Sequence, residues 1–322
     1  MRRALLVILG FAIGGVCLWL AARGVDWQEA RSIFHAARTG DIVLGMALFG
    51  VDQFLRAMRW RALLAFRSSV PLGLTVQSLL VGFAVNSLLP ARLGEFYRAH
   101  YLGQRAGLSG SGVFAAIVLE RLLDLMAVIC ILALGLAIAG GGDGVSRQIL
   151  LIAAALAASV VVTLAMLVAL LSRHSAEDIL GRALRLPLGG VLVRRGSDMV
   201  TNFAQALQCV RTRFFFDAIL LTVPIWLVET AAVWAICGAV GVELGLVGML
   251  WLAGGLALSV MVPTAPGYVG SYQMVFVLIL AQFGVTATAA VVAATAVQLY
   301  LVGGFTLIGL AVMATAALLP RR

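Results

Sequence analysis

Six stretches of this chain, residues 4–22, 42–66, 110–139, 149–171, 214–238 and 286–319, are predominantly apolar over the length a helix needs to cross a bilayer. That pattern decides the class, because only helices and closed barrels satisfy every backbone group in hydrocarbon. Composition agrees. Of 322 residues, 62% are apolar and 11% charged, too little polar surface to wrap a water-facing exterior. The stretch after Met1-Arg2-Arg3 is longer than a signal-peptide core and no A-x-A site follows it, so it reads as a retained helix.

Two further apolar regions are interrupted. Residues 71–108 are broken at Asn86-Ser87-Leu88-Leu89-Pro90, and 246–283 at Pro263-Thr264-Ala265-Pro266-Gly267. Proline removes a donor and clashes with the preceding turn, so each region is expected to be a pair of short helices meeting at a break. If both regions return to the side they entered from, both chain ends and the stretch 172–213 share one side. Sixteen Arg then lie on that side against four, Arg23, Arg31, Arg38 and Arg147, on the other. This satisfies the positive-inside rule. The expected fold is therefore all-α: a polytopic membrane helix bundle of six full spans plus two Pro/Gly-broken, re-entrant helical hairpins, with cytoplasmic N and C termini. The Arg count leaves thin full crossings open as the alternative to re-entry. Residues 1–322 read as a single integral membrane domain in a bacterial-type cytoplasmic membrane. Residues 172–213 read as a cytoplasmic amphipathic connector touching anionic lipid, or as a solvated polar link.

Several chemistries are excluded. All 23 basic residues are Arg and none is Lys, so neither a Walker A loop nor a Schiff-base enzyme can be built. The four Cys, Cys17, Cys130, Cys209 and Cys237, have no metal-ligand or redox spacing, and His35, His100 and His174 fall in no metal motif. No cofactor, no metal and no nucleic-acid partner is expected.

The informative residues are those that do not belong in hydrocarbon. Asp52, Gln53, Arg56 and Arg59 lie within 42–66, with 52, 56 and 59 on one helical face. Glu120, Arg121 and Asp124 lie in the middle of 110–139. An ionised group at a helix centre costs about 2.5–3.5 kcal/mol, so these must face protein, water or one another. Glu120 and Asp124, one turn apart, repel, and Arg121 cannot neutralise both. Arg56 and Arg59 are the suitable further cations, and their helix is expected beside 110–139. Two readings stand: a polar site, or a closed ion-pair network that fixes helix register.

At the first break Arg92, Glu95 and Arg98 share a face at the start of a new helix, where free N–H groups, positive dipole and guanidinium suit an anionic head group. Interfacial snorkelling of the same Arg is the plainer reading. The second break, through Pro263, Pro266, Gly267 and Gly270, also starts a helix. Two breaks in opposite halves point to a transporter's site. Glu229 in 214–238 is a lone intramembrane carboxylate, an ion-coupling site or a hydrogen-bonded core group. Gly10-x-x-x-Gly14 signals close helix packing and no more.

Taken together, Asn86 through Arg98, Glu120-Arg121-x-x-Asp124, Arg56-x-x-Arg59-Trp60 and Pro263 through Gly270 resemble the membrane domain of the lysylphosphatidylglycerol synthase family over nearly the whole chain. In two-domain relatives that part is linked to lipid flipping, and a separate cytosolic domain, with no counterpart in these 322 residues, transfers the amino acid. The resemblance implies a translocase whose partner is a membrane lipid: an anionic or aminoacylated phospholipid, a hopanoid or a glycolipid. The substrate-binding set is Arg56, Arg59, Asn86, Arg92, Glu95, Arg98, Glu120, Arg121, Asp124, Pro263, Pro266, Gly267 and Gly270, with Arg92, Arg98 and Arg59 on the phosphate. The alternatives are an intramembrane transferase using Glu95, Glu120 or Asp124 as acid or base, and a non-catalytic subunit of a lipid-synthesis complex. The residues themselves fix neither head group nor oligomeric state.

Overall fold

A computed structural model describes residues 2–65, 68–89, 93–139, 213–261 and 265–318. The span expected at 149–171, nearly all of the connector at 172–213, and Arg92 and Pro263 of the two breaks lie outside the described residues. All regular structure among the described residues is helical. In chain order these are α1 (Arg2–Ala22), α2 (Trp27–His35), α3 (Thr39–Ala65), α4 (Leu72–Leu88), α5 (Leu93–Ala106), α6 (Gly110–Ile138), α7 (Arg213–Ala239), α8 (Leu246–Met261), α9 (Ser271–Leu280), α10 (Ala287–Val297) and α11 (Gly304–Leu318). A π-helical stretch, Gln298–Gly303, joins α10 to α11.

Local chemistry sets several starts. The Asp26 carboxylate accepts from the N–H groups of Gln28 and Glu29 before α2. Ser109 accepts from Gly112 before α6, and Thr286 from Ala289 before α10, each meeting one of the donors a helix start leaves free. Among the described residues three helical segments are long and apolar enough to cross a membrane: Gly110–Ile138, Arg213–Ala239 and Ala287–Ala316. Their outward faces carry apolar side chains such as Leu134, Leu227, Trp234 and Leu307, the reverse of a water-soluble protein. The protein is an integral membrane protein.

The two interrupted regions are helix pairs. α4 packs on α5 across the first break, and α8 on α9 across the second. With 14 residues α5 is about 21 Å long and with 10 residues α9 is about 15 Å, both short of the ~30 Å hydrocarbon layer. At the first break the Asn86 carboxamide oxygen accepts from the Gly94 N–H at 2.7 Å, tying the end of α4 to the start of α5. Close approach explains Gly94, where a Cβ would stand 2.1 Å from the Gly82 carbonyl oxygen. The centre of the bundle is the antiparallel pair α3 and α7. Arg38 donates to the Gly238 carbonyl at one end, and Arg59 to the Thr222 hydroxyl towards the other. Gly45 lets the two close up, its Cα facing Ile236 and the Ala232 carbonyl.

Gly94→Ala forces α4 and α5 apart and is expected to destabilise the protein by about 1–3 kcal/mol. Gly40→Ala, with open space around it, is expected to be neutral or slightly stabilising. Thermal unfolding of the detergent-solubilised protein compares the two.

Candidate functional site

Glu120 and Asp124 stand one turn apart near the middle of α6, and both are buried. Neutralising them organises everything nearby. Glu120 accepts from Arg98 at 2.9 Å, Arg121 at 3.1 Å and Arg59 at 3.4 Å. Asp124 accepts from Arg59 at 2.7 Å and lies 3.5 Å from Arg121 and 3.6 Å from Arg56. The second and third cations thus come from α3, which packs against α6. Arg56 continues the network to Asp52 at 2.9 Å and to Glu229 of α7. Arg121 Nε is 3.8 Å from Glu95. The Arg98 guanidinium also lies over the Trp60 ring, 3.6 Å from its centroid, a cation–π contact in a dry setting.

The cluster holds five carboxylates, Asp52, Glu95, Glu120, Asp124 and Glu229, and four guanidiniums among the described residues. Each of those four already serves at least one carboxylate. A phosphate entering here competes with a carboxylate rather than finding a free cation.

The network forms one wall of a cavity of about 180 Å³, room for about six waters at ~30 Å³ each. Arg56, Arg98, Arg121, Glu95, Glu120, Asp124 and Glu229 line its polar side, with Gln53 and Asn86. Phe49, Leu79, Phe83, Val128 and Leu301 give it an apolar side, and Trp226, Tyr268 and Tyr272 stand between. Three buried atoms of these residues, Arg98 Nε, Arg121 Nε and Asp124 Oδ2, have no hydrogen-bond partner among the described residues, although Arg121 Nε and Asp124 Oδ2 stay within ion-pair reach of opposite charges.

The other expected site residues take different places. Arg59 is fully buried and is absent from the cavity wall, acting only through Glu120 and Asp124. Asn86 lines the cavity while its oxygen holds the first break. Pro266, Gly267 and Gly270 are off the wall and shape the backbone that presents Tyr268 and Tyr272, whose rings stack 5.7 Å apart. Gly267 and Gly270 have φ of 66° and 90°, and Tyr268 shares the left-handed region at 62°, which is costly for a side-chain-bearing residue.

Two residues that sequence reasoning passed over hold that turn. Gln273 Oε1 accepts from the Gly270 N–H at 2.8 Å, Gln273 Nε2 donates to Gln298 Oε1 at 2.8 Å, and Gln298 Nε2 donates to the Gly267 carbonyl. The available signal was two amides inside otherwise apolar helices.

The sequence profile of the family described as "Lysylphosphatidylglycerol synthase TM region" matches residues 7–309. The chain is also similar to a protein named glycosyltransferase AglD from Haloferax volcanii, at 24% identity over 336 aligned positions. That alignment covers 95% of this chain and 54% of the relative, so the chain spans about half the relative's length.

Glu120→Ala takes from buried Arg98 the carboxylate it donates to, removes one partner each from Arg59 and Arg121, and is expected to cost about 3–5 kcal/mol. Glu229→Ala removes one of several partners of Arg56, from a side chain that is 29% exposed, and is expected to cost about 1 kcal/mol or less. Chemical denaturation in mixed micelles ranks the pair.

Proposed function

The chain belongs to the lysylphosphatidylglycerol synthase transmembrane-region family, and on that premise we propose that it moves a polar-headed lipid between membrane leaflets. The cargo is an anionic or aminoacylated phospholipid, a hopanoid or a glycolipid. The observation that carries this reading is the cavity. A wall of charged side chains, Arg56, Arg98, Arg121, Glu95, Glu120 and Asp124, stands opposite an apolar wall, inside a molecule whose outer face is apolar. Dragging a polar head through hydrocarbon is the main barrier to flipping, and a polar recess at membrane depth lowers it while the tails stay in lipid.

In this reading Arg56, Arg98, Arg121 and Arg92 meet the anionic part of the head, with Asn86, Glu95, Glu120 and Asp124 setting the local charge. Arg59, Pro266, Gly267 and Gly270 act as positioning residues, as does Pro263. Glu229, on the cavity and tied to Arg56, is the candidate for ion coupling. The two broken helix pairs re-enter the bilayer, both termini are cytoplasmic, and the host is a bacterial-type cytoplasmic membrane. The short lengths of α5 and α9 and the Arg distribution support this.

A second reading, an intramembrane transferase, draws on the name of the Haloferax relative. The geometry favours it less. Glu120 and Asp124 spend their oxygens on guanidiniums, which makes them weak acceptors of a proton from substrate.

Reconstituted protein is expected to exchange labelled phospholipid or glycolipid between leaflets of liposomes, and Arg98→Ala to slow that exchange at least tenfold. Unchanged exchange in both Arg92→Ala and Arg98→Ala would remove the proposed grip. A chemically altered lipid recovered from the vesicles would favour the transferase.

A further inference from the structure

The two halves of the structure repeat each other upside down. α3 and α7 are both 27 residues long. Their first residues, Thr39 and Arg213, are 174 positions apart, and so are Leu72 and Leu246, the first residues of α4 and α8. Beyond the breaks the spacing becomes 178 from Leu93 to Ser271 and 177 from Gly110 to Ala287, so the second break is simply the longer by a few residues.

Packing follows the same rule. α4 lies on α5 and α5 on α6; α8 lies on α9 and α9 on α10. α4 packs against α11, and in return α8 packs against α6. The close contacts match in register. Gly309 meets the Leu80 backbone where α11 crosses α4, and Gly254 meets Leu132 where α8 crosses α6. α3 touches α6 as α7 touches α10. The antiparallel pair α3 and α7 is its own mate.

The bases of the two helix pairs also sit at opposite ends of the molecule. Arg105, at the end of α5, donates to the Ala316 carbonyl near the end of α11. The Asp26 N–H donates to the Thr288 hydroxyl at the start of α10, just beyond the base of the second pair. The tips come together in between, with a Cβ on Gly267 3.7 Å from the Ser87 carbonyl.

The polar fastening of each tip is repeated too, with one change. Glu95 of α5 stands 3.8 Å from Arg121 of α6, and at the matching positions one repeat later Gln273 of α9 holds Gln298. One fastening is ionic and the other neutral. The neutral one closes a turn with three residues, Gly267, Tyr268 and Gly270, at positive φ, and is anchored on a π-helical stretch, a form that recurs at functional sites.

We infer that residues 39–138 and 213–318 are inverted repeats about an axis between α3 and α7, and that their helix pairs are opposed gates reaching the cavity from opposite membrane faces, the amide-fastened pair being the mobile one. An amide pair separates more readily than a charge pair in a dry interior. Transporters built this way place the site where the two repeats meet. The gating half rests on the translocation reading; the repeat does not.

The test uses full-length protein with its four cysteines replaced by alanine, in vesicles of one orientation. Single Gln104→Cys and Glu243→Cys substitutions mark the two bases, both exposed. A small membrane-impermeant thiol reagent is expected to reach position 104 from one face and position 243 from the other; labelling of both from the same face overturns the repeat. The double substitution Gln273→Glu with Gln298→Arg installs the ionic fastening on the second gate while keeping an acceptor for the Gly270 N–H and a donor to the Gly267 carbonyl. It is expected to slow leaflet exchange of labelled phosphatidylglycerol and glucosyl diacylglycerol about tenfold with thermal stability retained, and exchange at the parental rate overturns the gating. If the parent exchanges neither lipid, the translocation reading fails, while the labelling still judges the repeat.

Discussion

Two carboxylates one turn apart on an apolar helix are the constraint on which the rest of the architecture depends. Glu120 and Asp124 repel each other, and in a medium without water each needs a cation held close by the protein. The answer recruits three other helices: Arg98 from α5, Arg56 and Arg59 from α3, and through Arg56 the Glu229 carboxylate of α7. Through Glu120 and Asp124 the network fixes the register of four elements at once. Apolar packing alone, between helices whose outer faces are already content in lipid, would specify that register weakly.

The same network is not closed on every side. An ion cluster in an ordinary core is sealed, but here Arg56, Arg98, Arg121 and Glu95 also line an opening. Arg59 shows the division of labour. It is sealed away and holds both carboxylates in position, while Arg98 and Arg121 hold the same carboxylates from the cavity side. Rigidity on one side and charge bordering an opening on the other is the combination expected of a preorganised binding wall.

Much of this was legible in the residue order because membrane burial penalises polar groups so steeply. The spans announce themselves by composition, and both helix breaks by Pro and Gly. That Arg56 and Arg59 should approach Glu120 and Asp124 followed from the need for extra cations. What stayed hidden was whatever carries no such penalty. Gln273 and Gln298 are neutral amides, and nothing in their spacing says that they clasp a turn. Arg59 and Arg98 look equivalent as letters, and only packing shows that one is entombed and the other borders the opening. The duplication escaped notice because it survives in helix lengths and intervals rather than in repeated residues, its most telling counterpart being an Arg–Glu pair in one half and a Gln–Gln pair in the other.

The first helix leans on the second break at one narrow place. A Cβ on Gly270 would fall 1.9 Å from the Gly14 carbonyl, and one on Gly14 would crowd Ala265 and Val269. The first helix thus buttresses the second break, although 256 positions of sequence separate Gly14 from Gly270. A side chain placed at position 14 would fill that crossing and disturb the turn bearing Tyr268 from a helix far away in sequence.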